Sequence, residues 1–136
     1  MARDLGRKGK AAGAGFYEYP KEGKKFLWPG LAQLCPPATA QPDVEELKRR
    51  FLTIQALEAA RCVEEGVIAD PGDADVGSIF GIGYPAWTGG VLSYIETVGL
   101  QQFVDEAHRM AEQYGVRYAP SAWLEQRARE GVRFHA

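Results

Sequence analysis

The chain is short of the residues that most site chemistry needs. Its 136 residues hold two cysteines, Cys35 in a proline-rich stretch and Cys62 inside a helical pattern, which excludes a disulfide-stapled scaffold. The two histidines, His108 and His135, lie far apart, and neither they nor the cysteines fall at zinc-ligand spacing. Asp70, Asp73 and Asp75 cluster, but without the glycine and distal glutamate of a calcium-binding loop. Ser78, Ser93 and Ser121 lack the Gly-x-Ser-x-Gly setting of a hydrolase nucleophile. No apolar run approaches the roughly 18–20 residues a membrane-spanning helix needs. The basic N-terminal residues have no apolar segment behind them, so a secretory signal is not expected and the chain reads as cytoplasmic.

What is present is ordinary for a globular domain: 46% hydrophobic and 25% charged residues, enough to bury a core. A net charge of −2 argues against general nucleic-acid binding, yet that charge is unevenly spread. Residues 1–25 carry Arg3, Arg7, Lys8, Lys10, Lys21, Lys24 and Lys25 against Asp4, Glu18 and Glu22, so this stretch is +4 and the remainder −6.

Residues 1–42 are rich in glycine, then proline. Phe16-Tyr17-Glu18-Tyr19 alternates, Pro20 to Gly23 supplies a turn, and Phe26-Leu27-Trp28 returns as a short hairpin partner. The basic, glycine-rich segment Gly6–Gly15 has no strand–loop–helix to hold its amides for a phosphate and reads as a solvated linker, with a contact to a coenzyme A phosphate as the outside option.

From Asp43 the pattern turns helical. Asp43 caps a helix over 43–65, with Glu46 at the capping-box position. From Phe51 to Val63 only Glu58 and Arg61 are charged, so this helix is expected to be covered on most sides and the Glu58/Arg61 pair to be structural. Gly66 ends it. Pro71 with Asp73 and Asp75 starts a short helix over 71–80, broken by Gly81, Gly83 and Pro85. Thr88 caps the next helix, Leu100–Tyr114 follows, and Ser121 opens a last helix that Gly131 closes. Trp28, Trp87 and Trp123 read as core or interface anchors. Gly81-Ile82-Gly83-Tyr84-Pro85-Ala86 has dinucleotide-fingerprint spacing, but it follows a helix and contains a proline, so a helix-breaking corner is the better reading. The fold class is therefore all-α, a compact helical domain of about five helices with an irregular or hairpin-like N-terminal extension.

Several of these stretches together resemble a known family. Glu58-Ala59-Ala60-Arg61, Glu64-Glu65-Gly66, Asp73-Ala74-Asp75, Gly81-Ile82-Gly83-Tyr84-Pro85 and Gly99-Leu100 are similar to the C-terminal helical domain of the 3-hydroxyacyl-CoA dehydrogenases. The match is strongest to the second copy of that domain in multifunctional fatty-acid β-oxidation enzymes. Leu5-Gly6-Arg7-Lys8 and Gly13–Tyr19 resemble the segment that closes the preceding copy. The resemblance implies a fold like the C-terminal domain of 6-phosphogluconate dehydrogenase. It implies a division at 1–42 (end of the preceding copy, and linker) and 43–136 (the helical domain), and hence a piece of a longer enzyme.

The family oxidises 3-hydroxyacyl-CoA with NAD, using a His–Glu pair near the end of a Rossmann domain that has no counterpart here. The substrate-holding Asn of the first copy aligns at about Arg49, a cation that accepts no hydrogen bond. No catalytic, cofactor-binding or metal-binding residue is therefore assigned, and NAD is expected only in the full-length enzyme. The implied role is a module that braces the substrate cleft or a subunit interface without turning over alone. Its implied partners are the preceding helical copy and the Rossmann domain; a homodimer and a weak acyl-CoA contact are further options, with no nucleic acid and no membrane span. A stand-alone helical interaction module and an acyl-CoA-binding accessory protein are the alternatives.

Overall fold

The computed structural model describes residues 4–135; Arg3, counted in the basic stretch above, lies outside them. The chain divides into two compact units between Gln41 and Pro42.

The first unit is built around crossing backbone rather than helices. Gly9 N–H donates to Ala14 C=O at 2.8 Å and Ala14 N–H returns to Gly9 C=O at 3.2 Å, enclosing a 3-10 turn at Lys10–Ala12. Gly15 is required there, because a Cβ on it would lie 2.9 Å from Gly9 Cα. Strands β1 (Tyr17–Glu18) and β2 (Phe26–Leu27) pair antiparallel, Tyr17 opposite Leu27 and Glu18 opposite Phe26, as the aromatic alternation predicts. Arg7 ties the parts together: its Nε donates to Gly15 C=O at 2.8 Å, its guanidinium pairs with Glu18 at 2.8 Å and lies 4.2 Å over the Trp28 ring. Residues 6–15 are thus a hydrogen-bonded fold, not the solvated linker expected from their glycine content. A one-turn helix α1 (Leu31–Leu34) follows.

Among the described residues the second unit holds five α-helices: α2 (Val44–Glu64), α3 (Pro71–Ile82), α4 (Val91–Val98), α5 (Leu100–Tyr114) and α6 (Ala122–Glu130). Apart from β1 and β2 no strand occurs among the described residues, so the all-α class read from the sequence holds. The starts follow the expected chemistry: Asp43 accepts from Glu46 N–H, Asp70 from Gly72 N–H and Ser121 from Leu124 N–H. Gly66 and Gly131 adopt left-handed φ past α2 and α6. The core joins Ala56, Leu57 and Ala60 of α2 to Leu92 and Ile95 of α4, Phe103, Ala107 and Met110 of α5, and Leu124 of α6. Each large member is fully buried, so truncating one costs about 2–5 kcal/mol.

Several expectations are corrected. Helix α3 runs through Gly81 and ends at Gly83, whose left-handed φ of 74° does the breaking. Thr88 lies in a 3-10 turn, Ala86–Thr88, and Gly90 occupies the N-cap of α4. Helix α2 is covered on most sides over 52–63, where Leu52, Ile54, Ala59 and Val63 pack around the buried Thr53, Ala56, Leu57 and Ala60 and only Glu58 is exposed, but its apolar stretch begins in water, with Phe51 67% exposed. Trp87 is 78% exposed and belongs to no core; Trp28 and Trp123 are half-buried.

Candidate functional site

A cleft of about 760 Å³ is bordered by α2, α4 and α5. Glu46, Arg49 and Thr53 come from α2, Tyr94 and Val98 from α4, and Phe103, Glu106 and Arg109 from α5. These α2 residues reach one wall because 46, 49 and 53 recur at helical spacing.

Glu46 is the hub. Its backbone N–H completes the Asp43 cap, but its carboxylate does not reach back as a capping box would. It accepts instead from Arg49 at 2.9 Å, from Arg109 at 3.0 Å and from the Tyr114 hydroxyl at 2.8 Å. The hydrogen bond from Arg49, then those from Arg109 and Tyr114, overcome the opposing effect of burial and lower its pKa to about 2. Arg109 also pairs with Glu106 at 2.6 Å, and both carboxylates raise its pKa. Burial raises the Tyr94 hydroxyl, with Glu106 adding to it. A carboxylate held near pKa 2 by three donors is a poor general base at neutral pH. The arrangement ties α5 to the start of α2 and leaves Arg49, whose side chain is 53% exposed, as the cation at the rim.

A second cluster sits where α3 meets the start of α4. Asp75 is 5% exposed, and its carboxylate accepts from Leu92 N–H at 2.7 Å, Ser93 N–H at 3.2 Å and Ser93 Oγ at 2.5 Å. Read from sequence as a dipole residue of its own helix, Asp75 instead supplies the carboxylate cap that Gly90 cannot give α4. Ser78 assists, its Oγ accepting from Val91 N–H at 3.3 Å. His135 Nε2 approaches Asp75 Oδ2 at 3.0 Å. Beside it Glu96 receives Arg133 Nε at 3.0 Å and the Phe134 and His135 N–H groups at 2.5 and 2.9 Å. Burial opposes ionisation of Glu96, but the donors from His135, Arg133 and Phe134 outweigh it and its pKa is lowered. Sequence spacing gave no sign of these long-range contacts, because their partners are 13 to 60 residues apart.

The remaining singled-out residues fall into structural places. Arg61 bonds Glu58 at 3.0 Å and donates to Ala119 C=O at 2.9 Å, linking α2 to the segment before α6, as expected of a structural pair. His108 pairs with Glu125 of α6 at 3.0 Å. Cys35 and Cys62 are free. Among the described residues no group of three or more His, Cys, Asp or Glu side chains is placed to hold a metal ion, and no helix is long and apolar enough to cross a membrane.

The cofactor implied by the resemblance, NAD, does not fit the one stretch with its spacing. The Gly83 and Tyr84 N–H groups already donate to Ser78 C=O, Pro85 has none, and Gly81 is inside α3. With the amides of Gly81, Gly83 and Tyr84 already committed and none on Pro85, the corner lacks the row of free donors a pyrophosphate needs and is a helix terminator. It lines a second depression of about 500 Å³, where Gly83, Pro85 and Trp87 face Phe51, Leu52 and Gln55 of α2.

These features describe a helical module with internal ties and an open apolar flank. The comparisons with known proteins agree with that class. The chain is 39% identical over 133 residues to the fatty acid oxidation complex subunit alpha of Shewanella loihica, covering 95% of this chain and 19% of that protein. It is 39% identical to the subunit of the same name from Vibrio vulnificus and 40% identical to that from Shewanella amazonensis. The chain thus spans about a fifth of the length of the curated relatives it matches. No protein-family model matches it. The resemblance to multifunctional β-oxidation enzymes therefore extends along nearly the whole chain.

Proposed function

We propose that this chain is the C-terminal helical module of an NAD-dependent 3-hydroxyacyl-CoA dehydrogenase of fatty-acid β-oxidation, bracing the substrate cleft or a subunit interface and not catalytic alone. The observation that carries this reading is the identity of 39% spread over 95% of the chain yet only 19% of the relative. On it, residues 1–42 are the end of a preceding helical copy and a linker, and residues 43–136 are the second copy. The binding of NAD, and the general base, then belong to other parts of the enzyme.

Two observations support a bracing role. The Glu46 carboxylate is saturated by donors and its pKa is about 2, so its chemistry is cohesion rather than proton transfer. The flank with Phe51, Pro85 and Trp87 leaves aromatic surface in water, at 67% exposure for Phe51 and 78% for Trp87, which is the surface a neighbouring helical copy would cover. A homodimer through that flank and a weak acyl-CoA contact at the Gly83–Pro85 corner that lines it are the finer readings of the same surface.

The test is a calorimetric titration of acetoacetyl-CoA into the chain, with NADH absorbance followed in parallel. No NADH consumption is expected. Turnover by this polypeptide alone would refute the reading. Saturable heat without turnover would assign the module a share of the thioester site, and no heat would leave bracing as its whole task.

A further inference from the structure

We propose that the turn of the N-terminal unit is a binding site for a small phosphate-bearing anion, held between Lys10 and Lys25. The site lies wholly within that unit and does not depend on the bracing role. A cleft of about 460 Å³ is lined by Lys10, Tyr19, Pro20, Gly23 and Lys25, two ammonium groups with no carboxylate among the lining residues. Lys25 Nζ stands 4.7 Å over the Tyr17 ring, which keeps that cation beside the cleft instead of free in solvent. The fold of residues 9–14 places Lys10 in a 3-10 turn on the same cleft.

The backbone adds a donor. Among the described residues the N–H of Gly23, which lines the cleft, donates to no backbone carbonyl, and Gly23 adopts a φ of 98° with open space where a Cβ would be. A bare amide in a turn beside two lysines gives the kind of concavity that anions occupy. The surrounding charge favours a dianion. Glu18 is already neutralised by Arg7 at 2.8 Å, Glu22 does not line the cleft, and Lys8, Lys21 and Lys24 stand exposed in the same unit. The remainder of the chain carries −6, which disfavours a long polyanion and favours a compact phosphate or diphosphate.

The experiment is a nitrogen-15 NMR titration of inorganic pyrophosphate into the full chain at low salt, repeated on Lys10→Ala/Lys25→Ala. Both lysines are exposed, so the double variant keeps the fold, and its unchanged resonances from the helical unit verify this. Saturable shifts at Lys10, Gly23 and Lys25 are expected, with a Kd of about 1 mM or tighter. Binding should weaken at least about tenfold in the variant, since two charge-assisted contacts are lost, and should weaken further with added salt. Non-saturating shifts, shifts centred elsewhere, or an unchanged Kd in the variant would overturn the proposal. So would saturable binding of a single-stranded oligonucleotide without any of pyrophosphate.

Discussion

Replacing Asp75 tests the contact on which the α3–α4 corner rests. Its carboxylate serves the second and third amides of α4, Leu92 N–H at 2.7 Å and Ser93 N–H at 3.2 Å, and the Ser93 hydroxyl at 2.5 Å, at a position only 5% exposed. Asp75→Ala strands those amides without water to replace their partner. A lost N-cap costs about 0.5–2 kcal/mol, and each buried donor left unsatisfied costs about 1–3 kcal/mol. These overlap, so about 3–4 kcal/mol is expected for the alanine variant. Asp75→Asn keeps one acceptor oxygen but loses the charge and replaces the second acceptor with an NH2 donor, for about 1–2 kcal/mol. Urea unfolding followed by far-ultraviolet circular dichroism measures both. The order alanine worse than asparagine, with an unchanged m-value, supports the assignment. An Asp75→Ala loss below about 1 kcal/mol would refute it, because the amides would then have found another partner.

Three further predictions follow from single residues. Glu46 has a folded pKa of about 2 against an ordinary 4.5, so its contribution to stability is full above pH 4.5 and is lost as pH falls from there towards 2. Its arginine partners are 53% and 40% exposed, so screening reduces that contribution to about 1–2 kcal/mol; Glu46→Gln should flatten the acid limb of a stability–pH profile, and an equally steep limb would count against the network. At Gly90 a Cβ would fall 2.4 Å from Asp75 Cβ, at a φ of 120°. Gly90→Ala should therefore cost more than about 3 kcal/mol or abolish folding, and a midpoint like that of the parent chain would disprove the crowding. Gly77 and Gly81 lie within α3 outside the left-handed region, with nothing within 4 Å of the place a Cβ would take. Alanine at either should stabilise the isolated chain by about 0.5–1 kcal/mol, read as a rise in urea midpoint.

How far the sequence was legible depended on the range of the interaction. Local chemistry read well: Asp43 and Ser121 cap the helices that their positions announce, Gly66 and Gly131 end helices, and Leu100–Tyr114 has the bounds that its 3–4 spacing gives. Long-range polar contacts did not. Asp73 and Asp75 look equivalent at the start of α3, yet Asp73 faces solvent while Asp75 turns inward to cap another helix. Only the pairing of α3 with α4 separates them. Glu46 similarly looks like the return half of a capping box, and is drawn away because α5 brings Arg109 and Tyr114 within reach. A charged donor outcompetes the amide that local pattern would have supplied.

The apolar residues of α2 and α3 make the opposite point. Phe51 and Phe80 have the composition of core positions, and a sequence reading that covers α2 on most sides is reasonable for such a pattern. In this chain they stand 67% and 85% exposed, while the faces turned inward are filled by Thr53, Ala56, Leu57 and Ala60 in α2 and by Ala74, Asp75 and Ser78 in α3. The one phenylalanine of each helix is thus surplus to the core and stands as apolar surface on the far side. Gly77 and Gly81 fit the same logic, since a helix that gives up propensity at two positions without needing them for its own packing leaves room for a close neighbour. The alanine variants separate the two levels. If they stabilise the isolated chain but weaken a longer enzyme that contains it, the glycines serve a contact made outside this chain. If they stabilise both, α3 meets nothing closely and the bracing must run through the α2 flank with Trp87.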